Sequence, residues 1–339
     1  MVCACQEAVS LQEFAPMLSR RSLPILAGLG LTAPSIARAA FPDRPVTMVV
    51  PYATGGSADV LGRAIAPEMS RILGQTVVVE QRPGAGGHIG GAHVAKSAPA
   101  DGYTFILGSV SKATGPSLQN LTYDPLTELT PLSGIGAVPM IMVVSPEAPF
   151  RGVADVIAAA RARPGEVTYG SSGLGTGSHL SGELLAAATN VQLLHVPYRG
   201  SGAVYPDLIS QRVNFLLDAA GSAAGQVRGG AVRALGVTSA ERSPVFPDLP
   251  TFTEQGVPDY EFGLWLGFFT RSGTPQAAFT RLEEACKEAI ASASVQERMR
   301  QSIVAPIPTD AAGFAAYFRA DAARWAELVR AGRLQRLDS

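Results

Sequence analysis

Charge is scarce in this 339-residue chain: Asp, Glu, Lys and Arg make up 16% of it, and the net charge is −1. That balance leaves no basic field for nucleic acid and no polybasic patch for an anionic membrane. Cysteine is scarcer. Of three cysteines, Cys3 and Cys5 precede the first apolar run and Cys286 stands alone after it, so a mature chain lacking its leader has no intrachain disulfide. The four histidines, His88, His93, His179 and His195, form no H-x-x-x-H pair and have no cysteine nearby, so no metal-ligand spacing is recognisable. The phosphate-binding stretch G-x-x-x-x-G-K-[ST] and the hydrolase elbow G-x-S-x-G are both missing. Gly84-Ala85-Gly86 and Gly173-Leu174-Gly175 are only fragments of a dinucleotide fingerprint. Ser109-Val110-Ser111-Lys112 matches S-x-x-K without its S-D-N and K-T-G companions. No cofactor is expected. Beyond the leader no apolar run reaches ~18 residues, the length that would span a bilayer.

What is present begins with a leader. Arg20-Arg21 precede the short apolar run Leu23 to Leu31, and Ala37-Arg38-Ala39 fits a small-x-small cleavage site. The mature chain is therefore expected to begin at Ala40 or Phe41, outside the cytoplasm. The basic pair resembles a twin-arginine signal, with general secretion as the alternative route. Met17, just ahead of that pair, is a candidate start of translation.

The mature chain is organised around Val46 to Gly62, VTMVVPYATGGSADVLG: a β-branched strand, a glycine turn and a helix start. Thr54, Gly55, Gly56 and Ser57 expose backbone N–H groups at a helix N-terminus, a geometry that suits an anion or serves simply as a tight connection. Strand–turn–helix units repeat. TVVVE (76–80) opens into RPGAGGHIGG (82–91), YTFIL (103–107) into Gly108-Ser109-Val110-Ser111, and Val167 to Ser171 into SGLGTGS (172–178) ahead of a helix near His179. This repetition predicts an α/β fold with a largely parallel sheet. The chain changes partner around Pro139 to Pro146, beside a strand at Met140 to Val144, and the proline-rich stretch 243–258 reads as the return crossing. Phe318, Ala322, Trp325 and Leu328, at helical spacing, are expected in the core. Two α/β sets joined by two crossings describe a cleft, and ligands of open sheets bind at strand carboxyl ends.

Asp59, three residues after Gly56, either complements the helix dipole or faces a ligand amine or hydroxyl. Asp218, at the end of an apolar strand, needs backbone or ligand donors. Tyr52 and Tyr198 end strands in different halves and either wall the cleft or pack. His179 reads as a hydrogen-bonded structural group rather than a base.

The stretches PDRPVTMVVPYATGGSADVLGR, VVVEQRPGAGGHIG, DGYTFILGS, VTYGSSGLGTGSHLSGELL, HVPYRGSGAVYPDLISQRVNFLLDA and SGTP, in this order, resemble the Bug family, the periplasmic receptors of tripartite tricarboxylate transporters. The resemblance implies a two-domain periplasmic-binding-protein fold, type II-like, with the ligand cleft between domains. After a leader over 1–39, one domain would be built from 40–140 with 259–339 and the other from 141–258. It implies a non-enzymatic monomer that holds a small organic carboxylate by N–H groups, hydroxyls and water and presents it to membrane transporter subunits. Its motifs fall on Tyr52, Thr54, Gly55, Gly56, Ser57 and Asp59 in one domain and on Ser172, Gly173, Thr176 and His179 in the other. Ser109, Tyr198 and Asp218 sit where relatives line the cleft. Tyr52 and Thr54 depart from the commoner P-F-x-P-G-G turn, and the added hydroxyls suit a more polar ligand. Two competing readings are a receptor that feeds a sensor kinase and, in another class, a hydrolase or nucleotide-dependent enzyme reusing these turns.

Overall fold

A β-branched run, VTMVV, forms the first strand, β1 (Val46–Val50), and Pro51 ends it. The structure, a computed structural model, describes residues 41–337 apart from residues 244 and 259; the expected leader, with Arg20-Arg21 and Ala37-Arg38-Ala39, lies outside them. Helix α1 (Ser57–Leu73) buries Leu61, Ile65 and Met69 on one stripe and stops at Gly74, whose φ of 70° is left-handed. There follow β2 (Val77–Gln81), α2 (His88–Ala92), β3 (Thr104–Ser109), α3 (Ser111–Leu118), α4 (Pro125–Glu128) and β4 (Leu129–Val144). The chain continues through α5 (Val153–Ala162), β5 (Thr168–Ser171), α6 (Gly177–Thr189), β6 (Leu194–Pro197), α7 (Tyr205–Ile209), β7 (Phe215–Ala219), α8 (Ala220–Arg228) and β8 (Arg233–Val237). It returns through β9 (Gly263–Arg271) and ends in α9 (Gln276–Ala291), α10 (Ala293–Gln301) and α11 (Ala311–Arg330). Among the described residues no helix is long and apolar enough to cross a membrane.

The strands run in the order β2-β1-β3-β9-β4-β7-β5-β6, with β8 also on β4. The expected largely parallel sheet is instead mixed. β1 pairs in parallel with β2 and β3, and β5 with β6 and β7, but β9 and β4 run antiparallel to every neighbour they have. β4 is also 16 residues long, where the sequence suggests a strand only at Met140 to Val144. Pro131, Gly134, Gly136 and Pro139 lie within it, and the strand absorbs them through register shifts against β9 near Ser133 and Gly136. A Cβ on Gly136 would lie 2.2 Å from Val304 and 2.8 Å from the Ala305 carbonyl, so this glycine admits a close backbone approach rather than a turn.

β4 and β9 thus carry the chain between the two halves of the sheet. Thr238 stitches the second crossing beside them: its hydroxyl accepts from Met140 N at 2.8 Å and donates to the Phe262 carbonyl at 2.6 Å. Trp265 and Phe269 of β9 meet Phe314 and Phe318 of α11 edge to face, with centroids 5.2–5.9 Å apart. Phe318, Ala322 and Trp325 are buried as the helical spacing predicts, and Leu328 is half-buried. Cys286 is a buried free thiol inside α9.

Candidate functional site

The turn after β1 is held from below by one carboxylate. Asp59, 3% exposed, accepts Gly55 N at 2.9 Å on one oxygen, and Arg63 Nε at 2.7 Å with Gln81 Nε2 at 2.5 Å on the other. Both oxygens are therefore engaged within the protein, and Asp59 acts here by shaping the turn. Gly56 is the N-cap of α1 and no side chain caps it, so the first N–H groups of a 17-residue helix open at Ser57. Thr54 and Gly55 lie exposed at the rim. Tyr52 points inward, its hydroxyl 2.6 Å from Ser109 Oγ and 3.2 Å from Ser111 Oγ, and burial raises its phenol.

The turn after β5 in the other half is a network of small hydroxyls. Ser172 N donates to Ser178 Oγ at 2.8 Å, Ser172 Oγ donates to Thr176 Oγ1 at 3.0 Å, and Thr176 Oγ1 donates to the Gly173 carbonyl at 2.6 Å. Thr176 is the N-cap of α6, again with no side-chain cap, and Gly173 takes φ 134°. His179 lies beneath this turn. Its Nδ1 accepts Gly175 N at 3.0 Å, and its ring stacks on His195 with centroids 3.8 Å apart. His195 Nε2 is 2.6 Å from Ser171 Oγ. That hydroxyl is 0% exposed, donates to the Gly173 carbonyl and accepts from Gly173 N, so it is tied into the turn. Tyr198 donates to Asp207 Oδ2 at 2.8 Å, and Asp218 accepts Ser201 Oγ at 2.7 Å, Tyr205 OH at 2.8 Å and Ala219 N at 2.9 Å. Asp218 therefore finds its donors within its own half, at the base of the loop that carries Gly200 and Ser201.

Two further loops connect these turns to the opposite half of the sheet. A Cβ on Gly86 would lie 3.0 Å from the Leu174 carbonyl and 3.1 Å from that of Gly175, while one on Gly200 would lie 3.5 Å from Ala53 Cβ. Gly200 N in turn donates to the Ser172 carbonyl at 3.1 Å. The first-strand turn therefore meets the Gly200 loop at Ala53, and the Gly86 turn meets the Leu174–Gly175 segment of the other half. Sequence reasoning missed Ser111, Ser171, Ser178, Ser201 and His195 as parts of this network. Only their places in glycine- and hydroxyl-rich strand ends hinted at them. Among the described residues no group of three His, Cys, Asp or Glu side chains stands together as a metal site.

The buried imidazoles give the fold a pH dependence. Burial lowers them, His88 to about 2 with Lys112 adding to the effect, His179 to about 3 with His195 adding, and His195 to about 4. Unfolded histidines take up protons below about pH 6.5, so between there and pH 4 the unfolded chain binds more protons and stability falls as pH falls. Asp218 and Asp321, raised by burial, act in the opposite direction as pH rises through their folded values. Three imidazoles act in the first direction and two carboxylates in the second. The urea midpoint is expected to be lower at pH 4.5 than at pH 7, and equal midpoints would show that the imidazoles are protonated in the folded chain.

The sequence profile of the family described as "Tripartite tricarboxylate transporter family receptor" matches residues 61–334. Protein BugT of Bordetella pertussis is 36% identical over 311 residues, covering 90% of this chain and 94% of its own. Among solved structures, R. palustris Rpa4515 with adipate is 36% identical with a TM-score of 0.80, covering 88% of this chain and 100% of its own. MatC from Rhodopseudomonas palustris with bound malate is 30% identical with a TM-score of 0.79, covering 85% and 100%. With the turns, the two-half sheet and these likenesses together, the chain belongs to the tripartite tricarboxylate transporter receptor family, the Bug proteins, and has their periplasmic-binding-protein fold.

Proposed function

We propose that this chain is a periplasmic receptor that closes over a small organic carboxylate and presents it, unchanged, to the membrane subunits of a tripartite transporter. The observation that supports this reading is the approach of the Gly86 turn to the Leu174 and Gly175 carbonyls and of Gly200 to Ala53, beside two helix starts, α1 and α6, that no side chain caps. Oriented N–H groups and hydroxyls stabilise a carboxylate by charge-assisted bonds. A clamp with no arginine fork avoids a second desolvated ion, which keeps binding reversible. The adipate and malate carried by the two related structures belong to the same chemical class.

In this reading 40–140 with 259–339 and 141–258 are two lobes that hinge at β4 and β9, the ligand biasing the closed state by its contacts to both. The segment 1–39 exports the chain, by the twin-arginine or general route, and the mature receptor works as a monomer. Calorimetry against mono-, di- and tricarboxylates is the test. Heat with one acid class, and recovery of the ligand chemically intact, is the expected result; no heat with any acid, or release of a changed product, contradicts it.

A further inference from the structure

Lys112 lies on the first turn of α3 and is 0% exposed. Its Nζ donates to the Gly87 carbonyl at 2.9 Å, burial lowers its ammonium, and among the described residues no carboxylate is ion-paired with it. An ammonium has three donors to place, and a buried cation without an anion is strongly disfavoured. The fold nonetheless makes room for it: a Cβ on Gly108 would come within 3.0 Å of Lys112 Cγ, and one on Gly91 within 3.3 Å of its Cε.

The Gly87 peptide separates this charge from the cleft wall. On its far side Gly87 packs against the Tyr52 ring, where an added Cβ would lie 2.8 Å from Cε1, and Tyr52 in turn reaches Ser109 and Ser111. Gly86, the preceding residue, abuts the Leu174 and Gly175 carbonyls of the opposite half. Beside Lys112 stands His88, whose Nδ1 is 3.1 Å from Tyr123 OH and whose buried Nε2 has no partner.

We propose that Lys112 is a positioning residue that sets the charge preference of the cleft: the bound anion is the counter-charge this buried ammonium lacks, acting across the Gly87 peptide, so that two carboxylates are favoured over one. This rests on the carboxylate-receptor reading above. The coupling works through low-dielectric protein, where charges separated by a single peptide layer interact far more strongly than in water. Burial lowers the Lys112 ammonium to about 7, so an arriving anion draws a proton onto it. The other ionisable groups around it do not compete near that pH. His88 is held neutral, at about 2, and burial raises the Tyr52 and Tyr123 phenols. His93 is lowered and lies among Arg82 and Glu80. Glu128 of α4 is paired with Lys96 at 2.8 Å. On α11, which packs along α3, the Asp321 carboxylate is taken up by the Trp265 and Trp325 indoles.

Calorimetry at pH 7, in two buffers of different ionisation enthalpy, tests this with adipate and malate against hexanoate and lactate. The wild type is expected to bind at least one dicarboxylate about tenfold or more tighter than its monocarboxylate match and to take up about half a proton per ligand. Lys112→Met should abolish the uptake and shrink the dicarboxylate preference about tenfold. Lys112→Arg should restore the preference without the uptake. Should the methionine variant fail to fold, the wild-type proton uptake decides. Dicarboxylate binding with no uptake, a preference unchanged in a folded Lys112→Met, or binding of monocarboxylates alone each overturns the role of Lys112 while leaving the receptor reading standing. No binding of any carboxylate overturns both.

Discussion

A Gly86→Leu variant is expected to bind its carboxylate about a hundredfold more weakly than the wild type, a loss of roughly 2.7 kcal/mol, while its melting temperature changes by only a few degrees. Gly86 adopts φ 63°, where any side chain carries strain of about 1 kcal/mol. A Cβ there would already sit 3.0 and 3.1 Å from two backbone carbonyls of the opposite half. Carbonyls anchored in the Leu174–Gly175 turn cannot rotate away as a side chain would, so the longer leucine holds the halves apart and removes the second set of donors from the ligand. Gly55→Ala is the matched control: its φ of 85° brings similar strain, but nothing lies within 4 Å of an added Cβ. Its affinity should change much less. Equal losses in the two variants, read by calorimetry, would show that closure at Gly86 is not what limits binding.

The second large effect is on stability. Asp218→Ala should destabilise the fold by about 3 kcal/mol, since hydrogen bonds to a charged group contribute roughly 1.5–3 kcal/mol and orphaned buried donors add to the loss. Asp218 is 2% exposed, and its removal strands the Tyr205 hydroxyl and Ala219 N–H in surroundings nearly as dry. At about 2–4 °C per kcal/mol for a chain of this order of size, the melting temperature should fall by roughly 6–12 °C. Asp218→Asn, which keeps acceptor capacity on one oxygen, should lose less. Because Ser201 also hangs from Asp218 at 2.7 Å, the loop that brings Gly200 to Ala53 loosens as well. A binding defect with an unchanged melting temperature would instead mean that Asp218 contacts the ligand directly.

Much of this protein was determined by local sequence. The β-branched run at Val46, the apolar stripe Leu61, Ile65 and Met69, and the small-residue turns before Ser57 and Gly177 specify their elements through near neighbours, and six ordered motifs name the family. Tertiary structure alone decided the rest, because it depends on residues far apart in the chain. β4 runs through its prolines and glycines because β9 on one side and the segment near Val304 on the other stabilise it, a pairing that local propensity does not reveal. Asp59, in the first turn of a helix, and Asp218, near the end of an apolar strand, are both carboxylates whose partners the sequence leaves open. Which donors saturate them, Gln81 for one and Tyr205 for the other, is settled only when the strands are laid side by side. The same is true of the cleft. Glycines at 86 and 200 can each be read from the chain as turns, but that one faces the Leu174 and Gly175 carbonyls and the other Ala53 follows from the folding of two halves toward each other, since a close approach is a property of a pair and not of a residue.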